Sequence, residues 1–246
     1  MNLSPRYKKS LSAISLVALP LLVAFAPLSQ VVLAQELGSR LSLVAQADRK
    51  AEADRLLNLG TQQYDLSQFE AALQSYEQAL TIYRAIKNRQ WEGAALGGLG
   101  IAYYSLSKYD KAIEFHLQSL AIAREIKDRL GEGAALGNLG IAYNALGKYD
   151  KAIEFQLQYL AIAREIKFRL GKGNALGSLG SAYNSLGKYD KAIEFQLQSL
   201  AITREIKDRQ SEGAALGNLG LAYDSLGKYD KAIEFQLQSL AISMEI

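Results

Sequence analysis

Residues 147–158 read Gly-Lys-Tyr-Asp-Lys-Ala-Ile-Glu-Phe-Gln-Leu-Gln, and the same block returns at residues 187–198 and 227–238. A near copy begins at Ser107, so the interval is forty residues each time. A fixed period of this length predicts a solenoid, in which each small helical unit buries its apolar face against its neighbours. A repeat supplies the same residues at many places, whereas a catalytic site needs different residues at one point. The period therefore favours a binding surface.

Each forty-residue unit divides into two helix-length halves, which we name helix A and helix B. In helix A of the third unit, Leu136, Leu139 and Tyr143 recur at helical spacing and form one apolar face. Gly147 then ends helix A. Helix B carries two apolar stripes, Ile153, Leu157 and Leu160 in one and Phe155, Ile162 and Ile166 in the other. Two stripes predict a helix that is covered on two sides, as in an all-α superhelix of about five helix-turn-helix units.

The repeat domain is predicted to span residues 52–246. Its units lie near residues 52–91, 92–131, 132–171, 172–211 and 212–246, and the last is incomplete. Residues 35–51 mix polar and short apolar side chains and predict a linker that runs into the first helix. Between units, Asp128 and Asp208 are placed to cap the next helix A, a role that Phe168 cannot fill at the equivalent position.

The N-terminus has the pattern of a secretory signal. Three basic residues precede an apolar stretch from Leu11 to Ala26, and small residues follow at the spacing that signal peptidase reads. The pattern predicts a signal peptide over residues 1–34 with cleavage before Gln35, and hence a periplasmic or secreted protein. The alternative is an uncleaved membrane anchor, although two prolines interrupt the apolar run short of the roughly 20 residues that a span needs.

The charge balance argues against two classes of partner. The chain has 28 basic and 25 acidic residues, but three of the basic ones lie within the predicted signal, which has no acidic residue. The remainder is formally neutral, so we expect neither nucleic-acid binding nor membrane binding beyond the signal segment. The chain has no cysteine, which excludes disulfides, thiolate metal sites and cysteine nucleophiles.

Two motifs make the repeat more specific. Leu139-Gly140-x-x-Tyr143 and Gly147-x-Tyr149-x-x-Ala152, followed by Leu160, resemble the tetratricopeptide (TPR) pattern. The forty-residue length is similar to the long repeats of Pins-type cell-polarity adaptors. The resemblance implies an α-α superhelix whose concave groove holds a protein or peptide.

The near-identical units can be compared with one another. Along helix A the leucine, glycine and tyrosine positions stay constant, while a few positions vary and lie on one stripe opposite the apolar face. In TPR proteins this stripe lines the concave groove. The predicted partner-binding residues, which we call the stripe, are Asn58, Thr61, Tyr64, Ile101, Tyr104, Asn138, Ile141, Asn144, Asn174, Ser178, Ser181, Asn184, Asn218, Leu221 and Asp224. One interpretation is free drift of exposed positions after duplication; the other is a groove adapted to a partner.

No other motif predicts chemistry. The glycines of residues 131–137 resemble a dinucleotide fingerprint, but no strand precedes them, so we expect no cofactor. His116 stands where sister units have glutamine and is interpreted as a tolerated substitution. Glu125 and Arg129 have the spacing of a local ion pair. With no nucleophile–base pair and no metal cluster, we expect no catalytic and no metal site.

The predicted function is an exported scaffold that binds a protein or peptide segment in its concave groove. One alternative is the regulatory arm of a longer protein, such as a TPR array joined to a caspase-like peptidase. Another is a self-associating structural module. Helix B of the fifth unit is expected to leave Phe235, Ile242 and Ile246 uncovered, which would allow a homodimer through the C-terminal end.

Overall fold

A computed structural model describes residues 28–245, and within that range the chain consists of helices joined by short turns. Its helices are α1 (Leu28–Asp65), α2 (Phe69–Ala85), α3 (Arg89–Ser105), α4 (Tyr109–Glu125), α5 (Arg129–Ala145), α6 (Tyr149–Glu165), α7 (Arg169–Ser185), α8 (Tyr189–Glu205), α9 (Arg209–Ser225) and α10 (Tyr229–Ser243). The all-α prediction is confirmed. Units two to five are the successive pairs from α3/α4 to α9/α10, and unit one consists of the end of α1 together with α2.

The helices end at left-handed residues that recur with the repeat. Gly147 has a φ of 70°, and its amide donates to the Asn144 carbonyl at 2.9 Å while the amide of Lys148 reaches back to the Tyr143 carbonyl at 2.9 Å. This is the Schellman arrangement, which favours glycine because a side chain is strained at positive φ. Gly187 and Gly227 repeat it.

The core consists of the same helix-to-helix contacts repeated from unit to unit. From α2 onward each helix contacts the next one in the chain, and each helix A from α3 onward also contacts the following helix A. Leu136 and Leu139 of α5 are fully buried, and Ile113 and Leu120 of α4 pack against them from the preceding unit. Each unit thus buries its apolar face against a neighbour, as expected for a solenoid.

The described part of the chain divides into two units between Asp48 and Arg49. The predicted signal peptide, residues 1–34, lies largely outside the described residues. Residues 35–51, predicted as a linker, are helical and form part of α1, with almost all of their side chains exposed. Among the described helices, none is both long and apolar enough to cross a membrane.

The exposed face of α10 differs from the prediction. Ile242 is 4% exposed because it packs beside Gly213 of its own unit, so the expectation that it lacks cover is wrong. The apolar side chains left open are Ile233, Leu237 and Leu240, which are 59%, 61% and 55% exposed. The matching Ile193 of α8 is 9% exposed because α9 covers it. Helix B thus meets the following unit through the Ile153 and Leu160 positions of its first stripe, while Leu157 remains 44% exposed. Ile246 lies outside the described residues.

The units are also joined by ion pairs. Glu132 of α5 is almost buried and accepts from Arg124 Nε at 2.8 Å and from Arg129 Nη1. Arg129 in turn donates to Glu165, so the carboxylate links three consecutive helices. The predicted Glu125–Arg129 pair is wrong, because Glu125 accepts from Arg89 of its own unit instead. We call this arrangement, an almost buried glutamate between two arginines of the same chain, the glutamate clamp.

The clamp recurs at two other junctions and is missing at one. Glu92 lies between Arg84 and Arg89, and Glu212 lies between Arg204 and Arg209. At the α6–α7 junction the equivalent residue is Lys172, which has the same charge sign as the flanking Arg164 and Arg169. The same junction lacks a side-chain cap, since Phe168 stands where Asp128 and Asp208 accept from the amides of Gly131 and Ser211. Both cap predictions are confirmed.

Candidate functional site

The predicted stripe lies on the face where successive A helices adjoin. All of its residues except Asn58, Asn184 and Asp224 line one of three cavities. Cavity I, about 490 Å³, is lined by Thr61, Tyr64, Ile101 and Asn138 of the stripe. Cavity II, about 430 Å³, is lined by Tyr104, Ile141, Asn144, Asn174, Ser178, Ser181 and Asn218. Cavity III, about 480 Å³, is lined by Asn218 and Leu221.

Asn58 and Asp224 are exposed outside these cavities, and Asn184 is half-buried beside them. The structure therefore brings most of the stripe together and leaves its two ends apart. Binding by these residues stays a prediction.

The cavities share one construction. Each is bounded by two glycines of an A helix, four residues apart, and by a serine of the following B helix. These residues are Gly93, Gly97 and Ser119 in cavity I, Gly173, Gly177 and Ser199 in cavity II, and Gly213, Gly217 and Ser239 in cavity III. Each serine hydroxyl donates to the carbonyl of the first glycine at 2.9–3.0 Å. With no side chain on the A helix and a small one on the B helix, a hollow remains between the two helices.

Unit three has the same glycines, Gly133 and Gly137, but no hollow. Its B helix carries Tyr159 in place of the serine, and the phenol ring packs directly onto both glycines. None of the three cavities includes these residues. One tyrosine thus interrupts the series of hollows.

In units two to four a buried polar side chain of helix B packs against the A-helix glycines. Gln156 and Gln196 are 1% exposed, and each donates through Nε2 to a glycine carbonyl at 2.9–3.0 Å, while their Oε1 atoms find no partner in the described chain. His116 takes this place below cavity I, also 1% exposed, with Nδ1 unpartnered. Burial lowers the pKa of His116 to about 4, so its imidazole is neutral at pH 7. The interpretation of His116 as a tolerated substitution did not predict that its side chain is buried or that burial lowers its pKa.

The walls of cavities I and II differ in chemistry. Cavity I has aromatic and aliphatic walls, including Tyr76, Trp91 and Ile101. Cavity II is lined mainly by amides and hydroxyls, and the buried Asn144 Oδ1 accepts no hydrogen bond from the described chain. Asn218 Nδ2 donates to Ser181 Oγ at 3.4 Å. The two cavities therefore suit different parts of a ligand, one apolar and one rich in hydrogen-bonding groups.

Several cavity residues were not predicted from the sequence. Trp91 was interpreted as a packing residue; it stacks on Tyr83 at 6.3 Å but is also 38% exposed in the wall of cavity I. Ser119 and Ser199 come from helix B, whereas the comparison of units covered helix A alone. A signal existed in the sequence, because Tyr159 is the one bulky residue in a series of serines. No group of metal-ligating side chains occurs within residues 28–245.

Solved structures with the same fold are numerous. The chain superimposes on BtubC (BKLC) from P. vanneervenii with a TM-score of 0.73 and 20% identity, covering 85% of this chain and 87% of that one. For the kinesin light chain TPR-like repeats of Podosopora anserina the values are 0.66 and 22%, over 80% and 96%. A Rap protein complexed with Competence and Sporulation Factor gives 0.71 and 20%, over 79% of this chain and 54% of that one.

The sequence itself decides the family. No curated protein matches the chain significantly. The model of the tetratricopeptide repeat matches residues 51–125, 91–165 and 172–245, which is most of the chain. Between the second and third matches, residues 166–171 are not covered. These residues connect α6 to α7, where the glutamate clamp and the cap are missing. The TPR prediction is confirmed, and the chain belongs to the tetratricopeptide repeat family.

Proposed function

We propose that the repeat domain, exported as its N-terminal pattern predicts, binds a segment of a partner protein along the A-helix face. The observation that carries this proposal is the clustering of the stripe around adjoining cavities. The fixed leucines form the core and the fixed glycines bound the cavities, while the positions that vary from unit to unit line the same open space. Variation placed around cavities is what adaptation of a groove to one partner would produce.

The polar groups of cavity II suit a peptide backbone. A buried acceptor without a partner costs about 1–3 kcal/mol, and an amide N–H from a bound segment would remove this cost at Asn144 Oδ1. Asparagine amides both donate and accept, which matches the alternating groups of an extended or helical chain. The Rap protein of similar fold was solved in a complex with another factor, which supports binding as a use of this architecture.

The role of the amides can be tested by capture experiments. Asn138→Ala together with Asn218→Ala is expected to weaken capture of the native partner from an extract at least tenfold, since each lost hydrogen bond contributes about 1 kcal/mol. The measurement is the amount of partner retained on immobilised protein as its concentration is varied. Asn58→Ala is the matched control, because this stripe asparagine is exposed and lines no cavity. Equal capture by the double variant, with helicity intact, would contradict the proposal.

A second candidate role is self-association through α10. The exposed Ile233, Leu237 and Leu240 form an apolar face on α10. In α4, α6 and α8 the positions equivalent to Ile233 and Leu240 are buried, whereas those equivalent to Leu237 remain 43–44% exposed. Two copies related by a twofold axis would cover this face with the same residues of each partner. We expect sedimentation velocity to show a dimer at high concentration and a monomer for Leu237→Glu with Leu240→Glu. A monomer at every concentration would exclude this role.

A further inference from the structure

Unit three shows which side chain fits the space that forms a hollow in the other units. The ring of Tyr159 lies 3.2 Å from the position of a Cβ on Gly133 and 3.0 Å from that on Gly137. Its hydroxyl lies 2.7 Å from the position of a Cβ on Gly171, in the following unit. Burial raises the pKa of Tyr159, as expected for a phenol enclosed by protein. Three glycines thus form the seat of one phenol ring.

Unit two has the same seat without its occupant. Gly93, Gly97 and Gly131 stand at the equivalent positions, forty residues earlier, and all three line cavity I. The residue equivalent to Tyr159 is Ser119, whose hydroxyl bonds to the carbonyl of Gly93 and leaves the seat open. The cavity reaches the groove, since Ile101 and Asn138 of the stripe belong to its lining.

Cavity II does not offer this seat. Its third position is Ser211, so a side chain stands where the hydroxyl of a bound phenol would lie. Most of its lining residues carry amides or hydroxyls, which gain little from contact with an aromatic ring. Cavity I therefore combines a complete seat with apolar walls, including Tyr76 and Trp91.

We infer that cavity I receives an aromatic side chain of the partner segment, and preferentially a tyrosine. This inference rests on the proposed function, because it names one residue of the segment that binds in the groove. The preference for tyrosine follows from Asp128, which stands where unit three has Phe168. Asp128 Oδ1 accepts from the Gly131 amide at 2.9 Å, while Oδ2 lies beside the Cβ position of Gly131, where the hydroxyl would lie. A phenol hydroxyl donates to this carboxylate oxygen.

The chain supplies the variant that tests this inference. Ser119→Tyr copies unit three into unit two, and the seat has no side chain to obstruct the ring. The probe is p-cresol, the side chain of tyrosine, with toluene as the side chain of phenylalanine. By saturation-transfer NMR we expect p-cresol to bind the unaltered protein more tightly than toluene does. We expect Ser119→Tyr to weaken p-cresol binding at least fivefold.

Two further variants control this experiment. Ser119→Ala removes the hydroxyl without filling the seat and should retain p-cresol. Tyr159→Ser opens the seat of unit three and should add a second site. Unchanged p-cresol binding in a Ser119→Tyr protein of normal helicity and thermal stability would overturn the inference. If toluene bound as tightly as p-cresol, the preference for tyrosine would be overturned.

Selection from a random peptide library separates this inference from the proposed function. Peptides that carry a tyrosine and lose binding to Ser119→Tyr would support both. Peptides without an aromatic residue, or peptides insensitive to Ser119→Tyr, would overturn the inference and leave the groove as a binding site. Failure to select any peptide, with p-cresol still bound at cavity I, would count against the proposed function and not against the seat.

Discussion

Between pH 6.5 and pH 4 the protein is expected to lose about 3 kcal/mol of its free energy of unfolding through His116 alone. The pKa of this side chain is about 4 in the folded protein, compared with 6.5 without burial. The unfolded chain therefore binds a proton first as the pH falls, and stability decreases from pH 6.5 downward until the folded state is also protonated near pH 4. Above pH 6.5 both states are neutral and His116 contributes no pH dependence.

The matched variant for this prediction is His116→Gln. Glutamine occupies the same buried place in units three and four, as Gln156 and Gln196, so the substitution keeps the packing and removes the titrating group. Denaturant unfolding at pH 7 should give similar free energies for the two proteins. At pH 4 the glutamine variant should be more stable by about 3 kcal/mol. An identical pH dependence of both proteins would show that His116 does not titrate in this way.

Glu132→Lys is expected to destabilise the protein by about 2 kcal/mol. The substitution removes an almost buried carboxylate that accepts from Arg124 and Arg129 and places a third positive charge between them. Breaking a fully buried pair costs about 3–5 kcal/mol, and the smaller figure applies because both arginines remain about half exposed. Glu132 also lies in the first turn of α5, where the helix dipole favours a negative charge.

The reverse substitution uses the junction where the clamp is missing. Lys172→Glu places a carboxylate between Arg164 and Arg169 and should raise the free energy of unfolding by about 1 kcal/mol. Lys167→Glu makes the same change of charge at an exposed turn residue and serves as the control. The measurement for all three variants is denaturant unfolding at low and at high salt, since the clamp should weaken as salt is added. Equal stability of Glu132→Lys and the unaltered protein would contradict this account of the clamp.

The fold could be predicted from the sequence because its determinants are local and repeated. The positions of Leu136, Leu139 and Tyr143 at helical spacing, together with the break at Gly147, define a helix and its end without reference to the rest of the chain. The N-caps at Asp128 and Asp208 depend on the next three residues only. Forty-residue repetition then requires that each unit pack in the same way as the last.

The site could be predicted only in part, because its other half comes from contacts between helices. The stripe was visible as variation along helix A. The hollows also depend on Ser119 and Ser199 of the B helices, whose relation to the A-helix glycines appears only when the helices are packed. The same limit explains the wrong ion pair, since Glu125 meets Arg89 across 36 positions of sequence. It also explains α10, where sequence alone did not show which stripe of helix B meets the next unit.

The missing clamp at the α6–α7 junction bears on the order in which the folded array opens. Arrays of this kind are stabilised by the interfaces between neighbouring units, and partial opening begins at the weakest interface. Residues 166–171 join α6 to α7 with no acidic cap and no shared carboxylate, so amide hydrogen exchange near Gly171 and Gly173 should precede exchange at the other junctions. Units one to three on one side and units four and five on the other would then remain folded as separate blocks. The longest-lived partly open form of the protein would thus still carry cavity I intact.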